Sequence, residues 1–504
     1  MATYSRKVGF VYIFNLLIGA GALALPKTFS DTGIALGTVF ITLLCTLSYI
    51  TACYVIEAMA AANAYERIME RKCSMEAMAR HDSESKQNGI TMDPSEAEKQ
   101  EVTIYIDQKD YEITKKFEYG SMANLFFHIS GIILAYLVFC IMSYGDVSYF
   151  NIAIATSLSH VTCQLQRHHQ LRLSLISNDT LFGDNETWFA DQESRNDCFT
   201  NFGSIKVYYI CLAIIAFTLG PFVFFDITSS KFIQILTTVA RYIGFGLMTI
   251  LVILRFIEGH RYMPQVANVK SLPFLYGIAL YSAKIQDFIP GIIMPMSSKE
   301  HIYRILLGDF VTCWLFYLFL SYASVFAFPG DEIEPLYTLN FFQPATSGSI
   351  DWRLVLGTML ALLPVISLVS IYPVLTVTLR ENLKSLSKII LECRLKRKVK
   401  FPVIVDRFLF PPLVFIPPLI VAYITQDIEL LASITGSFPG ITIQCVMPAA
   451  FVIAARYKIK KALGTYDNPY KAPLSNMVFV VVVLGWSVIS VVMMSINLIL
   501  NPPE

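Results

Sequence analysis

Runs of about twenty apolar residues recur along the chain, separated by polar stretches, and this spacing predicts membrane-spanning helices. Eleven such spans are predicted, at 8–29, 34–60, 122–158, 205–225, 235–256, 272–296, 304–328, 354–379, 403–424, 428–455 and 477–500. The third is longer than a bilayer requires, so it either tilts strongly or continues past the hydrocarbon. Two long polar segments, 66–120 and 160–204, interrupt the pattern. The first is mixed in charge and reads as largely disordered. Within it, Val102-Thr-Ile-Tyr-Ile106 and Tyr111-Glu-Ile113 alternate in the manner of a small hairpin.

Composition sets the class. The 504 residues are 55% hydrophobic and 15% charged, with a mean hydropathy of +0.55, whereas a soluble domain carries about a quarter charged residues. The fold class is therefore an all-α polytopic membrane protein. A formal net charge of +1 points to no acidic or basic partner. No charged n-region with a short apolar core and a small-residue cleavage site precedes the first span, so no removable signal peptide is expected.

The flanking basic residues predict orientation. Arg6 and Lys7 precede the first span, which places the N-terminus in the cytoplasm. Counting forward, two basic stretches also become cytoplasmic: 380–407, with Arg380, Lys384, Lys388, Arg394, Lys396, Arg397, Lys398, Lys400 and Arg407, and 456–471, with Arg456, Lys458, Lys460, Lys461 and Lys471. Topology thus accounts for the basic stretches, and no nucleic-acid role is expected. The segment 66–120 falls on the cytoplasmic side and 160–204 on the outer or luminal side. The outer segment carries two glycosylation sequons, at Asn178 and Asn185, and two cysteines, Cys163 and Cys198. In an oxidising compartment these cysteines favour a disulfide, although two loop cysteines can also stay free. The other cysteines show no metal-ligand spacing and read as small apolar residues.

Two spans carry helix breakers. The first contains Asn15-Leu-Leu-Ile-Gly-Ala-Gly-Ala-Leu-Ala-Leu-Pro26, and the sixth contains Gly277, Ser282, Pro290, Gly291 and Pro295. Freed backbone groups are tolerated in hydrocarbon only where protein or a cavity satisfies them. Broken helices in corresponding positions of two halves mark the midplane site of transporters with inverted repeats. Simple Gly/Pro kinks or packing faces would give the same residues. The repeat reading divides the chain into 1–257 (helices one to five), 258–455 (helices six to ten) and 456–504 (a cytoplasmic linker and helix eleven). At such breaks a half-helix N-terminus suits a carboxylate and a half-helix C-terminus suits a cation, so an amino acid zwitterion fits both.

The pattern Asn15-x3-Gly19-x-Gly21-x4-Pro26 resembles the first-helix signature of the amino acid/auxin permease superfamily, which includes the sodium-coupled neutral amino acid transporters. Tyr372-Pro-Val-Leu-Thr-Val-Thr-Leu-Arg380-Glu resembles the eighth helix of that superfamily, and Gly436-Ser-Phe-Pro-Gly440 followed by Pro448 its tenth. Within the superfamily the chain most resembles the divergent branch named transmembrane protein 104. The resemblance implies eleven helices in the leucine-transporter-like 5+5 inverted repeat plus one, and an outer disulfide-bearing loop between helices three and four.

These readings converge on particular residues. Asn15, Gly19, Ala20, Gly21, Tyr281 and Ser282 are the candidate substrate-binding set. Ser367, Ser370 and Asp146 are candidates for coupling to sodium or a proton, with back-bonding within the helix the plainer role for the serines. For Asp146 the plainer role is a solvated helix end. Lys284 and Asp287, three residues apart in a span, can share a helix face and pair, as a gate or as a structural pair. No catalytic, metal-binding or other cofactor motif occurs in the spans, so no enzyme activity is expected. The leading expectation is an ion-coupled secondary transporter of amino acids or similar small zwitterions. The alternative is a nutrient sensor acting through its cytoplasmic loops, with a protein partner bound by 66–120. Besides the substrate, the expected partner is the lipid bilayer, of the plasma membrane or the endolysosomal membrane.

Overall fold

The computed structural model describes residues 4–87, 107–177, 197–199, 202–224, 231–342 and 352–500. The elements are helical apart from a small hairpin that pairs Asp197–Phe199 with Phe202–Gly203. Among the described residues nine helices are long and apolar enough to cross a membrane, and a further pair, bent by 50°, passes the same test as one segment. That pair is α1 (Arg6–Leu17) and α2 (Ala20–Thr32). The protein is thus an integral multi-pass membrane protein.

The long helices exceed the bilayer. Helix α3 (Ile34–Gln87) has 54 residues, about 80 Å at 1.5 Å per residue. Much of the polar segment expected to be disordered is therefore helix. The reason lies on one face of α3: Asn63, Arg67 and Arg71 recur every four residues and so line up on one side. Asn63 accepts from the backbone N–H groups of Thr114 and Lys115. Arg67 donates to the carbonyls of Lys109, Asp110 and Glu112. Arg71 makes a bidentate pair with Asp110, at 2.9 and 2.6 Å. Together they strap residues 107–115 along the helix. The second arm of the expected hairpin is not a strand, because Gln108–Tyr111 forms a 3-10 turn whose Asp107 and Asp110 side chains cap it reciprocally. The first arm, 102–106, lies outside the described residues.

The third predicted span divides. Met122 belongs to a short helix, α4 (Tyr119–Phe126), and the span proper is α5 (Ile129–Ser177), which runs well past residue 158. His128 is exposed between them. Cys163 near the far end of α5 is bonded to Cys198 of the hairpin, with their Cα atoms 4.9 Å apart. The two sequon asparagines, Asn178 and Asn185, lie outside the described residues. Then follow α6 (Ser204–Leu219), α7 (Lys231–Ile257), α8 (Leu272–Ser282), the single turn α9 (Ile289–Ile293) and α10 (Ile302–Ala327). Helix α11 (Trp352–Leu395) continues sixteen residues beyond the predicted boundary at 379, because Leu383, Leu386 and Ile389 keep a helical apolar stripe that packs on the core.

The last part of the bundle holds α12 (Val403–Phe408), α13 (Phe410–Ile424), α14 (Ile428–Thr435), two π-turns over Gly436–Gly440 and Thr442–Val446, α15 (Met447–Leu463) and α16 (Met477–Leu500). The fully buried Glu57 of α3 ties α15 and the following linker to the core. Its carboxylate accepts from Arg456 Nε and Nη2 at 2.7 and 3.0 Å, from the Tyr466 hydroxyl, and from the Ala472 backbone N–H.

A buried carboxylate stripped of its cation is costly. Arg456→Met is expected to destabilise the protein by about 3 kcal/mol, seen as a lower unfolding midpoint in detergent. The double variant Glu57→Gln/Arg456→Met is expected to recover part of that loss, because the uncompensated charge is gone.

Candidate functional site

The first segment breaks at Ile18 and Gly19, whose backbone angles are non-helical (Ile18 φ −82°, ψ 64°; Gly19 φ −93°, ψ −160°). Pro26 does not make the break; it lies inside α2. The sixth segment breaks between Ser282 and Ile289, and Pro290 falls in the first turn of α9, where its missing N–H costs nothing. The two segments run side by side in opposite directions. At one end Tyr4 pairs with Pro295–Ser297, and at the other Ile34 and Ala35 donate to the carbonyls of Gln265 and Val266. They touch at the breaks: a Cβ added to Gly21 would lie 2.6 Å from Ser282 Oγ and 2.8 Å from its Cα.

Each carbonyl and N–H released at the breaks needs a partner. Arg241 of α7, 8% exposed, donates from Nη1 to Asn15 O at 2.8 Å, Asn15 Oδ1 at 3.1 Å and Ile18 O at 3.1 Å. The buried Tyr317 hydroxyl of α10 lies 2.6 Å from Leu17 O and 2.9 Å from Ser282 O, so its one hydrogen serves the ends of both half-helices. Ser48 of α3 donates to Ala283 O. Gln286, fully buried in the unwound stretch, accepts from Ile285 N and donates to Ser48 and Thr51.

A cavity of about 150 Å³ opens at the two breaks, well under the roughly 300–1,000 Å³ typical of drug-sized sites. Asn15, Gly19, Gly21, Tyr281 and Ser282 all line it, as do Asp146, Lys284 and Ser367. The side chain of Ala20 lies outside the described residues. Two of the lining groups are already engaged. Asn15 donates to Thr238 Oγ1 while accepting from Arg241, and Ser282 Oγ donates to Ile278 O in its own helix. Phe150, Phe245, Leu363 and Leu368 supply apolar wall.

The charged groups are arranged differently from the expected helix-face pair. Lys284 and Asp287 sit in the unwound stretch, and Lys284 Nζ lies nearer Asp146 Oδ2 (3.2 Å) than Asp287 Oδ2 (3.8 Å). Asp287 is off the cavity. Asp146 is not a solvated helix end, because α5 continues thirty-one residues beyond it and its side chain is buried against Lys284. The two serines separate as well. Ser370 back-bonds to Ser367 O and lies off the cavity, whereas the buried Ser367 Oγ has no hydrogen-bond partner among the described residues.

Sequence reasoning missed Arg241 and Tyr317. Arg241 had a signal, since a charge within a span is a functional candidate in its own right. Asp309 of α10 had the same signal; it is fully buried, its two oxygens unpartnered among the described residues, and does not line this cavity. Tyr317 lies among Trp314, Phe316, Phe319 and Tyr322 and had none.

Two interrupted segments crossing at a small internal cavity, among long apolar helices, define the class: a multi-pass helical membrane protein. The chain is 34% identical to transmembrane protein 104 of Pongo abelii over 99% of its length and 97% of that protein. It is 33% identical to transmembrane protein 104 of Homo sapiens, at the same coverage. It is also 33% identical to the transmembrane protein 104 homolog of Drosophila melanogaster, over 98% of this chain and 97% of that one. No protein-family model matches the chain. The chain belongs to the transmembrane protein 104 family.

Tyr317→Phe removes the hydroxyl shared by Leu17 and Ser282 while keeping the ring. It is expected to cost about 1–3 kcal/mol, the penalty of an unsatisfied buried polar group, measured as a fall in the unfolding midpoint. An unchanged midpoint would show that the break carbonyls do not depend on Tyr317.

Proposed function

We propose that the protein is a secondary transporter of amino acids or related small zwitterions, working by alternating access. The observation that carries this reading is the meeting of both broken segments at one small cavity. Counting the two broken segments with the nine unbroken spans gives eleven, which supports two inverted repeats, 1–257 and 258–455, followed by 456–504. The motifs around Gly19, Tyr372 and Gly436 support membership of the amino acid/auxin permease superfamily. The basic stretches favour a cytoplasmic N-terminus, which puts the Cys163–Cys198 disulfide and the sequons of Asn178 and Asn185 on the outer or luminal side.

The chemistry of the cavity suits a zwitterion. The first N–H groups of α2 and the cations of Arg241 and Lys284 favour a carboxylate, and Asp146 favours an ammonium. Binding such a solute would exchange the Lys284–Asp146 pair for pairs with the ligand, a trade between buried ion pairs. No covalent chemistry is needed, and the protein acts as a carrier rather than an enzyme. A sensor role is the second reading, favoured by the strap of residues 107–115 docked on Asn63, Arg67 and Arg71.

Uptake of a labelled amino acid mixture into proteoliposomes, under imposed sodium or proton gradients, tests the proposal. Wild-type protein is expected to accumulate label. Gly21→Val is expected to abolish accumulation, because the added carbons would collide with the Ser282 backbone. A folded Gly21→Val protein that transports at the wild-type rate would refute the assignment of the cavity. Folded wild-type protein that is inert under every gradient would favour the sensor reading.

A further inference from the structure

We infer that Arg241 is a built-in cation, holding the carbonyl end of the broken first span where a free metal cation such as sodium would otherwise bind. The inference rests on the transporter reading only where it concerns coupling.

Helix α1 ends inside the protein, at the buried Leu17 and Ile18, and the C-terminus of a helix carries a partial negative charge. That end has to be met by a positive group or by donors. Arg241 supplies both: one guanidinium nitrogen reaches the Asn15 carbonyl, the Asn15 side-chain oxygen and the Ile18 carbonyl, all within 3.1 Å. Three oxygens converging on one point is the arrangement that coordinates a small hard cation. Here a nitrogen of a permanently charged side chain stands at that point. The buried Ser367 hydroxyl lines the same cavity without a hydrogen-bond partner among the described residues. A second cation beside Arg241 would be strongly repelled at the low dielectric of this interior. Coupling to sodium at this end is therefore closed, and the carbonyls stay neutralised whether or not solute is bound.

The test reads cation occupancy without requiring transport. Thermal unfolding of the purified full-length chain is followed in sodium chloride and in choline chloride at equal ionic strength. Wild type and Arg241→Lys are expected to unfold at the same temperature in both salts. Arg241→Gln is expected to unfold earlier in choline, and sodium is expected to restore its midpoint saturably, because the emptied carbonyl cluster then takes the ion. A purely structural arginine would give the earlier unfolding with no difference between the salts, which would overturn the inference. A saturable sodium shift in wild type would overturn it too. Should Arg241→Gln be too unstable to purify in choline, it is purified in sodium chloride and exchanged: loss of fold on exchange into choline supports the inference, and equal stability in both salts refutes it. Absence of uptake under every gradient bears on the transporter reading, with the unfolding comparison still deciding the role of Arg241.

Discussion

The architecture depends on how a membrane-buried backbone copes with interruption. An unbroken helix satisfies its own carbonyls, and a broken one hands several of them to its neighbours. Here the recipients come from three other helices. Arg241 arrives from α7, Tyr317 from α10, and Ser48 from α3. These side chains make the breaks stable conformations rather than defects. They also bind the two interrupted segments into one unit, since Tyr317 serves both at once.

Close backbone approach is the complementary requirement. Gly21 meets Ser282, Gly277 meets Ser433, and Gly436 lies so near the Gly277 carbonyl that an added Cβ would sit 2.0 Å from it. The missing side chains let α2, α8 and the start of the π-helical stretch cross in contact, as small residues do between membrane helices. The π-turns at Gly436–Gly440 widen the tenth segment where it passes α8, an irregularity typical of functional positions. Glycines and polar side chains therefore divide the work: the first allow proximity and the second satisfy what the breaks expose.

Much of this was legible from residue types. The apolar runs located the spans, and Gly19, Gly21 and Pro290 marked the two segments that break. Five of the six residues assigned to the substrate site line one cavity, because they flank those breaks. What pattern reading lost were partners contributed from distant sequence. Arg241 and Tyr317 act through bonds across 226 and 300 residues, and nothing in their own neighbourhoods announces those contacts. The extension of α3 was hidden for a related reason. Its polar composition resembles a disordered linker, and its order comes from Arg67 and Arg71 holding a strap that returns forty residues later. A position late in the predicted span suited a helix end for Asp146, whereas α5 runs on to Ser177 and buries that side chain.

The partners at the first break are distributed unevenly, and this constrains any movement of the segment. Arg241 bonds Asn15 and Ile18, and Tyr317 bonds Leu17, so all these polar ties hold the α1 side. The α2 side is held instead mainly by packing: Ala22, Leu23, Ala24, Leu25 and Phe29 are buried, Gly21 meets Ser282, and Thr32 and Asn268 join its far end to the sixth segment. Separating α1 from α7 would strand a buried guanidinium, a costly step in a low-dielectric interior. Any displacement of α1 would therefore carry α7 with it, because Arg241 bonds both sides of that contact. The two halves of the segment are thus fixed by different physics, α1 by the charge of Arg241 and α2 by apolar packing around a glycine contact.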